Sequence, residues 1–232
     1  MTGPSTPVTG PAAPATEPAR VRTYNARRGR LSPLTQSRLD ELVPRHGIPD
    51  GPLEPEVAFG RRAPVVLDIG CGHGAAAIGY AVAHPGHDVL AVDVHSPGVA
   101  RMLAAADARG VHNLWAHIGD AVALLDQRIA SRSLHAVHLF FPDPWPKTRH
   151  LKRRFISEHT LDLIADRLAP DGELLVATDH ASYATHALDE LRAHPAFEVA
   201  EVSRPEWRPR DGFEAKGLAA GRAVTDLRAV LR

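Results

Sequence analysis

The sequence holds a single cysteine, Cys71, so no intrachain disulfide and no cysteine-built metal cage can form. Aromatic residues make up only 5% of its 232 positions, and no apolar run approaches the length of a helical membrane span. Net charge is missing as well, because 27 basic residues balance 27 acidic ones. A neutral total argues against a purely electrostatic nucleic-acid binder unless the charge is unevenly spread. From Met1 to Arg20 the chain alternates Pro, Ala, Thr and Gly without the apolar core of a secretory signal, so a cytoplasmic protein is expected.

What is present is ordinary globular material, 44% hydrophobic and 23% charged, enough for one principal domain with a modest appendage. The charge is in fact uneven. Arg20, Arg22, Arg27, Arg28 and Arg30 crowd one stretch, and Lys147, Arg149, Lys152, Arg153 and Arg154 crowd another. Two dense, Arg-dominated runs suit phosphate contacts better than solvated faces do. Residues 1–19 cannot bury enough surface to order themselves and are expected to form a disordered tail. Residues 20–60 form a basic N-terminal segment, with a helix over 33–43 ended by Pro44. Residues 61–232 form the folded domain.

There the periodicity changes. Val65 to Ile69 is a short β-branched run ending in glycines, the pattern of a buried parallel strand. Ala75 to Ala83 reads as a helix, and Gly79 within it implies close packing against the strand. Strands over 88–92, 113–118, 134–140 and 173–177 alternate with helices over 96–110, 121–129 and 182–193. A further helix carries Phe155, Ile156, Leu163, Ile164 and Leu168 on its apolar stripe and ends at Pro170-Asp171-Gly172. Two closing strands lie near 197–202 and 223–230. The alternation predicts an α/β fold: a doubly wound, mostly parallel, Rossmann-like sheet of seven strands. Ligands of such sheets sit beyond the strands' carboxyl ends.

Several motifs fall at those ends. Asp68-Ile69-Gly70-Cys71-Gly72-His73-Gly74 places glycines where backbone must approach a ligand before a helix begins. Asp93 ends the second strand, where a carboxylate can accept ribose hydroxyls. A dinucleotide fingerprint spaces its glycines G-x-G-x-x-G; the tighter spacing here, after an acid in the strand, resembles motif I of class I methyltransferases. Asp120 follows the third strand and fits either an adenine amine or the N-cap of the next helix. The fourth strand runs into Phe140-Phe141-Pro142-Asp143-Pro144-Trp145-Pro146-Lys147, whose prolines hold an extended loop. Asp143 and Trp145 are suited to gripping a splayed-out base, by donor pairing and by stacking respectively. Asp179 closes the fifth strand. The 14 histidines show no metal-ligand spacing, and no metal is expected.

On these residues, with Arg22-Thr23-Tyr24, Arg27-Arg28-Gly29-Arg30-Leu31, Asp93-Val94-His95-Ser96-Pro97-Gly98, Thr148-Arg149-His150, Lys152-Arg153-Arg154, Ala177-Thr178-Asp179 and Phe213-Glu214 before Lys216-Gly217, the chain resembles the bacterial tRNA (guanine-N7-)-methyltransferases. The resemblance runs from about Arg22 to the C-terminus. It implies an enzyme that moves a methyl group from S-adenosylmethionine to guanine N7 of tRNA, at position 46 in the variable loop. It implies that Asp68, Gly70, Gly72, Gly74, Asp93, Asp120 and Asp143 line the cofactor site, with Asp143 facing the reaction centre. Lys147, Asp179, Asp211, Gly212, Phe213 and Glu214 would bind the substrate. Arg27, Arg28, Arg30, Arg149, Lys152, Arg153 and Arg154 would meet tRNA phosphates. Asp211 departs from the family's usual Thr. The expected partner is tRNA, with no membrane, and the expected state a monomer or weak homodimer. Three other readings remain open: methylation of an exocyclic amine, a nicotinamide oxidoreductase, and a catalytically silent RNA-binding protein.

Overall fold

A computed structural model of the chain describes residues 23–24, 30–210 and 212–232. Five strands alternate with helices as their periodicity requires: β1 (Val65–Ile69), β2 (Asp88–Asp93), β3 (Leu114–Ile118), β4 (Leu134–Phe140) and β5 (Leu168–Thr178). They pair in parallel, in the spatial order β3-β2-β1-β4-β5. All five residues of β1 are buried, because both faces of a doubly wound sheet are covered by helices. β6 (Phe197–Glu201) and β7 (Thr225–Leu231) complete seven strands, and β7 inserts antiparallel between β5 and β6.

One face packs Leu67, Val92, Val137, Val176 and Leu227 under α5 (Ala121–Gln127), α6 (Glu158–Arg167) and α7 (Ala181–Ala193). The other packs Val66, Ala91 and Ala136 under α1 (Pro33–His46), α3 (Ala75–Ala83) and α4 (Ser96–Asp107). Two short helices were not foreseen, α2 (Pro55–Phe59) and α8 (Gly212–Ala219).

Several boundaries differ from the sequence expectation. Pro44 does not end α1; the helix continues to His46, closed by the Gly47 N–H donating to Val43 O at 2.7 Å. Pro44 forfeits only its own donation to Asp40 O, and the ladder is intact again at Gly47. Phe155 and Ile156 precede α6 rather than riding on it. Ser157 caps that helix in a reciprocal box with Thr160, and a capping residue fixes the start wherever the apolar pattern begins. Leu168 and the Pro170-Asp171-Gly172 turn belong to β5, where Asp171 takes φ 64° at an irregularity in the register with β4. Gly79 is needed for close packing, but not against the strand: a Cβ there would stand 2.4 Å from Trp207 O. No described helix is long and apolar enough to cross a membrane.

Candidate active site

The glycine loop after β1 reverses the chain through three left-handed glycines, Gly70 at φ 72°, Gly72 at φ 56° and Gly74 at φ 76°. Their surroundings differ. A Cβ on Gly70 would meet nothing within 4 Å, whereas one on Gly74 would lie 2.1 Å from Met102 Cγ of α4. Gly74 therefore seats the loop on α4, and Gly70 leaves a bare cradle above the sheet. Asp93, at the end of β2, ties this loop down by accepting the Gly72 N–H and the His95 N–H, each at 2.8 Å.

Asp68 lies beneath the loop and is almost fully buried, and its Oδ2 has no hydrogen-bond partner. Burial, and then the neighbouring charge of Asp93, push its carboxyl up to about 7. The same burial and the same two acids push the Cys71 thiol up, so it does not supply a thiolate. Asp120 follows β3 as the N-cap of α5, accepting the Val122 N–H at 3.0 Å.

Beyond β4 the chain is braced by side chains. The Phe141 N–H donates to Ala177 O at 2.7 Å, while Phe141 (φ 52°) and Trp145 (φ 41°) occupy left-handed backbone. Each such residue costs on the order of 1 kcal/mol, so the loop keeps this shape only because its surroundings hold it. Asp143 stands exposed between the two. Lys147 is exposed too, at the start of a 3-10 helix, Thr148–Arg153. Asp179 follows β5 directly, and both Nε and Nη2 of Arg222 donate to its Oδ2, at 2.9 and 2.7 Å.

The five aspartates Asp68, Asp93, Asp120, Asp143 and Asp179 thus stand at or just beyond the carboxyl ends of five adjacent parallel strands. They share one rim. Other expected site residues fall differently. Trp145 is not a bare platform for a base: its ring lies under the Arg153 guanidinium at 4.0 Å and edge-on to His150, and its indole N–H donates to Thr23 O. Arg154 is buried, donating to Pro144 O and Ser182 O at 3.0 Å and to Ser182 Oγ at 3.1 Å. It ties the Asp143 loop to the start of α7 instead of facing phosphate. Arg30, Arg149 and Lys152 are exposed. Glu214 is buried on α8 and paired with Arg208, while Gly212 and Phe213 in the first turn are exposed. Arg27, Arg28 and Asp211 lie outside the described residues.

Sequence reasoning missed Arg208, Arg222 and Asp226, whose partners are remote in the chain. It also missed His138. That ring lies on β4 beside Asp68 in the register, stacked against Trp207 at 5.1 Å and Phe140 at 5.2 Å, with neither nitrogen hydrogen-bonded. Burial, then the nearby His84, Arg208 and His135, lower its pKa to about 3. Among the described residues, no group of three or more His, Cys, Asp or Glu is arranged to hold a metal ion.

A family model described as "Putative methyltransferase" matches residues 62–227. The tRNA (guanine-N(7)-)-methyltransferase of Halorhodospira halophila is 45% identical over 214 residues, covering 89% of this chain and 93% of its own. That of Nitrosomonas europaea is 40% identical over 212 residues, covering 89% and 95%. That of Mycobacterium avium is 42% identical over 217 residues, covering 88% and 84%. Among solved structures, the 16S rRNA methyltransferase KamB superposes with a TM-score of 0.57 at 18% identity, over 81% of this chain and 99% of that one. The [4+2]-cyclase SpnF does so with a TM-score of 0.52 at 18% identity, over 85% and 92%. Likeness at this identity carries the fold alone, as the cyclase illustrates.

Proposed function

This chain belongs to the tRNA (guanine-N(7)-)-methyltransferase family, and we propose that it moves the methyl group of S-adenosylmethionine to N7 of a guanine in tRNA, at position 46 of the variable loop. The observation that carries this reading is the row of five aspartates on one rim. The residues present fit the methyl donor: Asp68, under the glycine loop, keeps a buried oxygen without a hydrogen-bond partner, and Gly70 leaves open space where a side chain would stand. Asp68, Gly70, Gly72, Gly74, Asp93 and Asp120 would hold it. When bound, it supplies an electrophilic methyl on a sulfonium.

Guanine N7 carries an in-plane lone pair and no proton, so the chain needs no general base for the attack. Its residues contribute position and charge. Positive charge builds on the purine as N7 gains the methyl, and the carboxylates of Asp143 and Asp179 favour that change. Both also accept donors from guanine's Watson–Crick edge. Lys147 anchors a phosphate or guanine O6. Arg149 and Lys152, exposed beside the loop, meet the backbone phosphates.

The test is the nucleoside profile of tRNA incubated with the protein and labelled methyl donor, paired with the variant Asp143→Ala. N7-methylguanosine should appear with the native chain, and its alkali-labile site should map to position 46. Asp143→Ala should abolish it with the circular dichroism spectrum unchanged. Full transfer by that variant, or a methyl on an exocyclic amine, would overturn the assignment.

A further inference from the structure

Arg208 takes no part in the chemistry above, yet its side chain is only 2% exposed. It lies between β6 and α8. Its Nε donates to Glu214 Oε2 on α8 at 3.1 Å, and its two terminal nitrogens donate to the two oxygens of Asp226 on β7. Arg204 adds a looser contact, with Nε 3.7 Å from Glu214 Oε1. Two guanidinium groups thus face two buried carboxylates. The planar fork of Arg208 suits this double grip in a way an ammonium would not. Its guanidinium also lies 4.9 Å from the Phe140 ring centre and 5.7 Å from that of Phe141.

One side chain therefore holds three pieces of chain: α8, β7 and the junction where β4 becomes the Asp143 loop. Phe141, two residues before Asp143, has strained backbone and depends on such support. Further along α8, Gly217 packs so near Asp179 that a Cβ would come within 2.5 Å of Oδ2. A shift of α8 would then be felt at Asp179, and a shift of Phe141 at Asp143.

We infer that Arg208 is a positioning residue that sets Asp143 and Asp179 relative to each other through Phe141 and α8, and that Glu214 is its internal partner and not a ligand of guanine. The inference rests on the reading that Asp143 and Asp179 flank the base. Buried ion pairs of this kind often add little net stability, but removing one member leaves the other uncompensated.

The experiment compares the native chain with Arg208→Met, Arg208→Lys, Glu214→Gln and Glu214→Leu, measuring kcat and KM with tRNA, S-adenosylmethionine Kd by calorimetry, and melting. Arg208→Met should lose up to about 100-fold in kcat, the scale of an ångström-sized misplacement, with the cofactor Kd held within about twofold. Should Arg208→Met fail to fold, Arg208→Lys keeps the charge without the fork and should lose about tenfold in kcat. The amide oxygen of Glu214→Gln still accepts the Nε proton although the charge is gone, so this variant should lose clearly less kcat than Glu214→Leu, which falls with Arg208→Met. Glu214→Gln falling as far as Glu214→Leu, with a raised KM for tRNA, would mark Glu214 as a guanine ligand and overturn the inference. Equal losses of cofactor affinity and turnover in the Arg208 variants would reduce Arg208 to general scaffolding and overturn it too. A native chain that methylates no tRNA guanine would instead sink the reading on which the inference rests.

Discussion

The two halves of the rim are built by different means. On the β1–β2–β3 side, shape comes from the backbone: three left-handed glycines, a loop tied to Asp93 through main-chain N–H groups, and a helix seated against Gly74. On the β4–β5–β7 side, shape comes from arginine side chains, with buried Arg154 gripping Pro144 and Ser182, buried Arg208 gripping Glu214 and Asp226, and exposed Arg222 gripping Asp179. The difference follows from the work proposed for each. A small donor of fixed shape needs a cradle with room and a few acceptors, which glycine turns provide locally. A base presented by a large polynucleotide needs loops held in strained backbone, and a rigid hydrogen-bonded cation can brace them at a distance.

The comparison can be broken most severely on the backbone side. Gly74→Val places a branched side chain in left-handed backbone and drives it into Met102, a cost of about 3 kcal/mol or more. S-adenosylmethionine binding by calorimetry should weaken about 100-fold or vanish. A near-native Kd would show that the loop tolerates what its geometry forbids. On the braced side, Arg154→Met should lower the melting temperature and cut methyl transfer by about tenfold or more, since hydrogen bonds from a charged group are each worth about 1.5–3 kcal/mol. The cofactor Kd should stay near native, and a parallel loss would erase the proposed division between the halves.

A smaller effect is expected outside the braces. Arg149→Gln with Lys152→Gln removes two exposed cations, so tRNA binding should weaken and the slope of log affinity against log salt should shrink by about 1.4–1.8. An unchanged slope would place phosphate contacts elsewhere.

A last test, read in stability and not in binding, sharpens the comparison at the seam between the halves, where Asp68 on β1 and His138 on β4 are register neighbours. Between 3.8 and about 7 the folded chain keeps a proton on Asp68 that the unfolded chain releases, so this group lowers stability as pH rises. Between about 3 and 6.5 the unfolded chain keeps a proton on His138 that the folded chain refuses, so this group lowers stability as pH falls. The two slopes oppose each other over most of the acid range. His138→Phe should leave stability that falls as pH rises from 4 to 7, and Asp68→Asn stability that falls as pH drops below 6.5. Urea midpoints measured across that range check both, and two flat profiles would contradict the assignment.

Much of this was legible in the residues themselves. Val65 to Ile69 announces a doubly buried strand because a short apolar run rich in β-branched residues and closed by glycines fits the interior of a parallel sheet. Asp93 and Asp179 end strands and so fall on the ligand edge by topology alone. Asp120 reads equally as cap or ligand; the structure shows it capping α5, and the ligand role belongs to the proposal. The errors share a cause. Phe155 and Ile156 look helical by periodicity, but Ser157 decides where the helix begins. Trp145 looks like a base platform, yet Arg153 already covers it.

By itself, then, the sequence determined the order of strands and helices, the glycine turns and the row of acids, because period, turn chemistry and strand ends are all recorded within a few residues of each other. Only the tertiary structure decided which cations turn inward. Arg154 meets Ser182 across 28 positions and Arg208 meets Asp226 across 18, and nothing near an arginine in the chain distinguishes a surface charge from a buried brace. That choice is made when distant segments pack and a carboxylate or carbonyl, stripped of water, requires a partner.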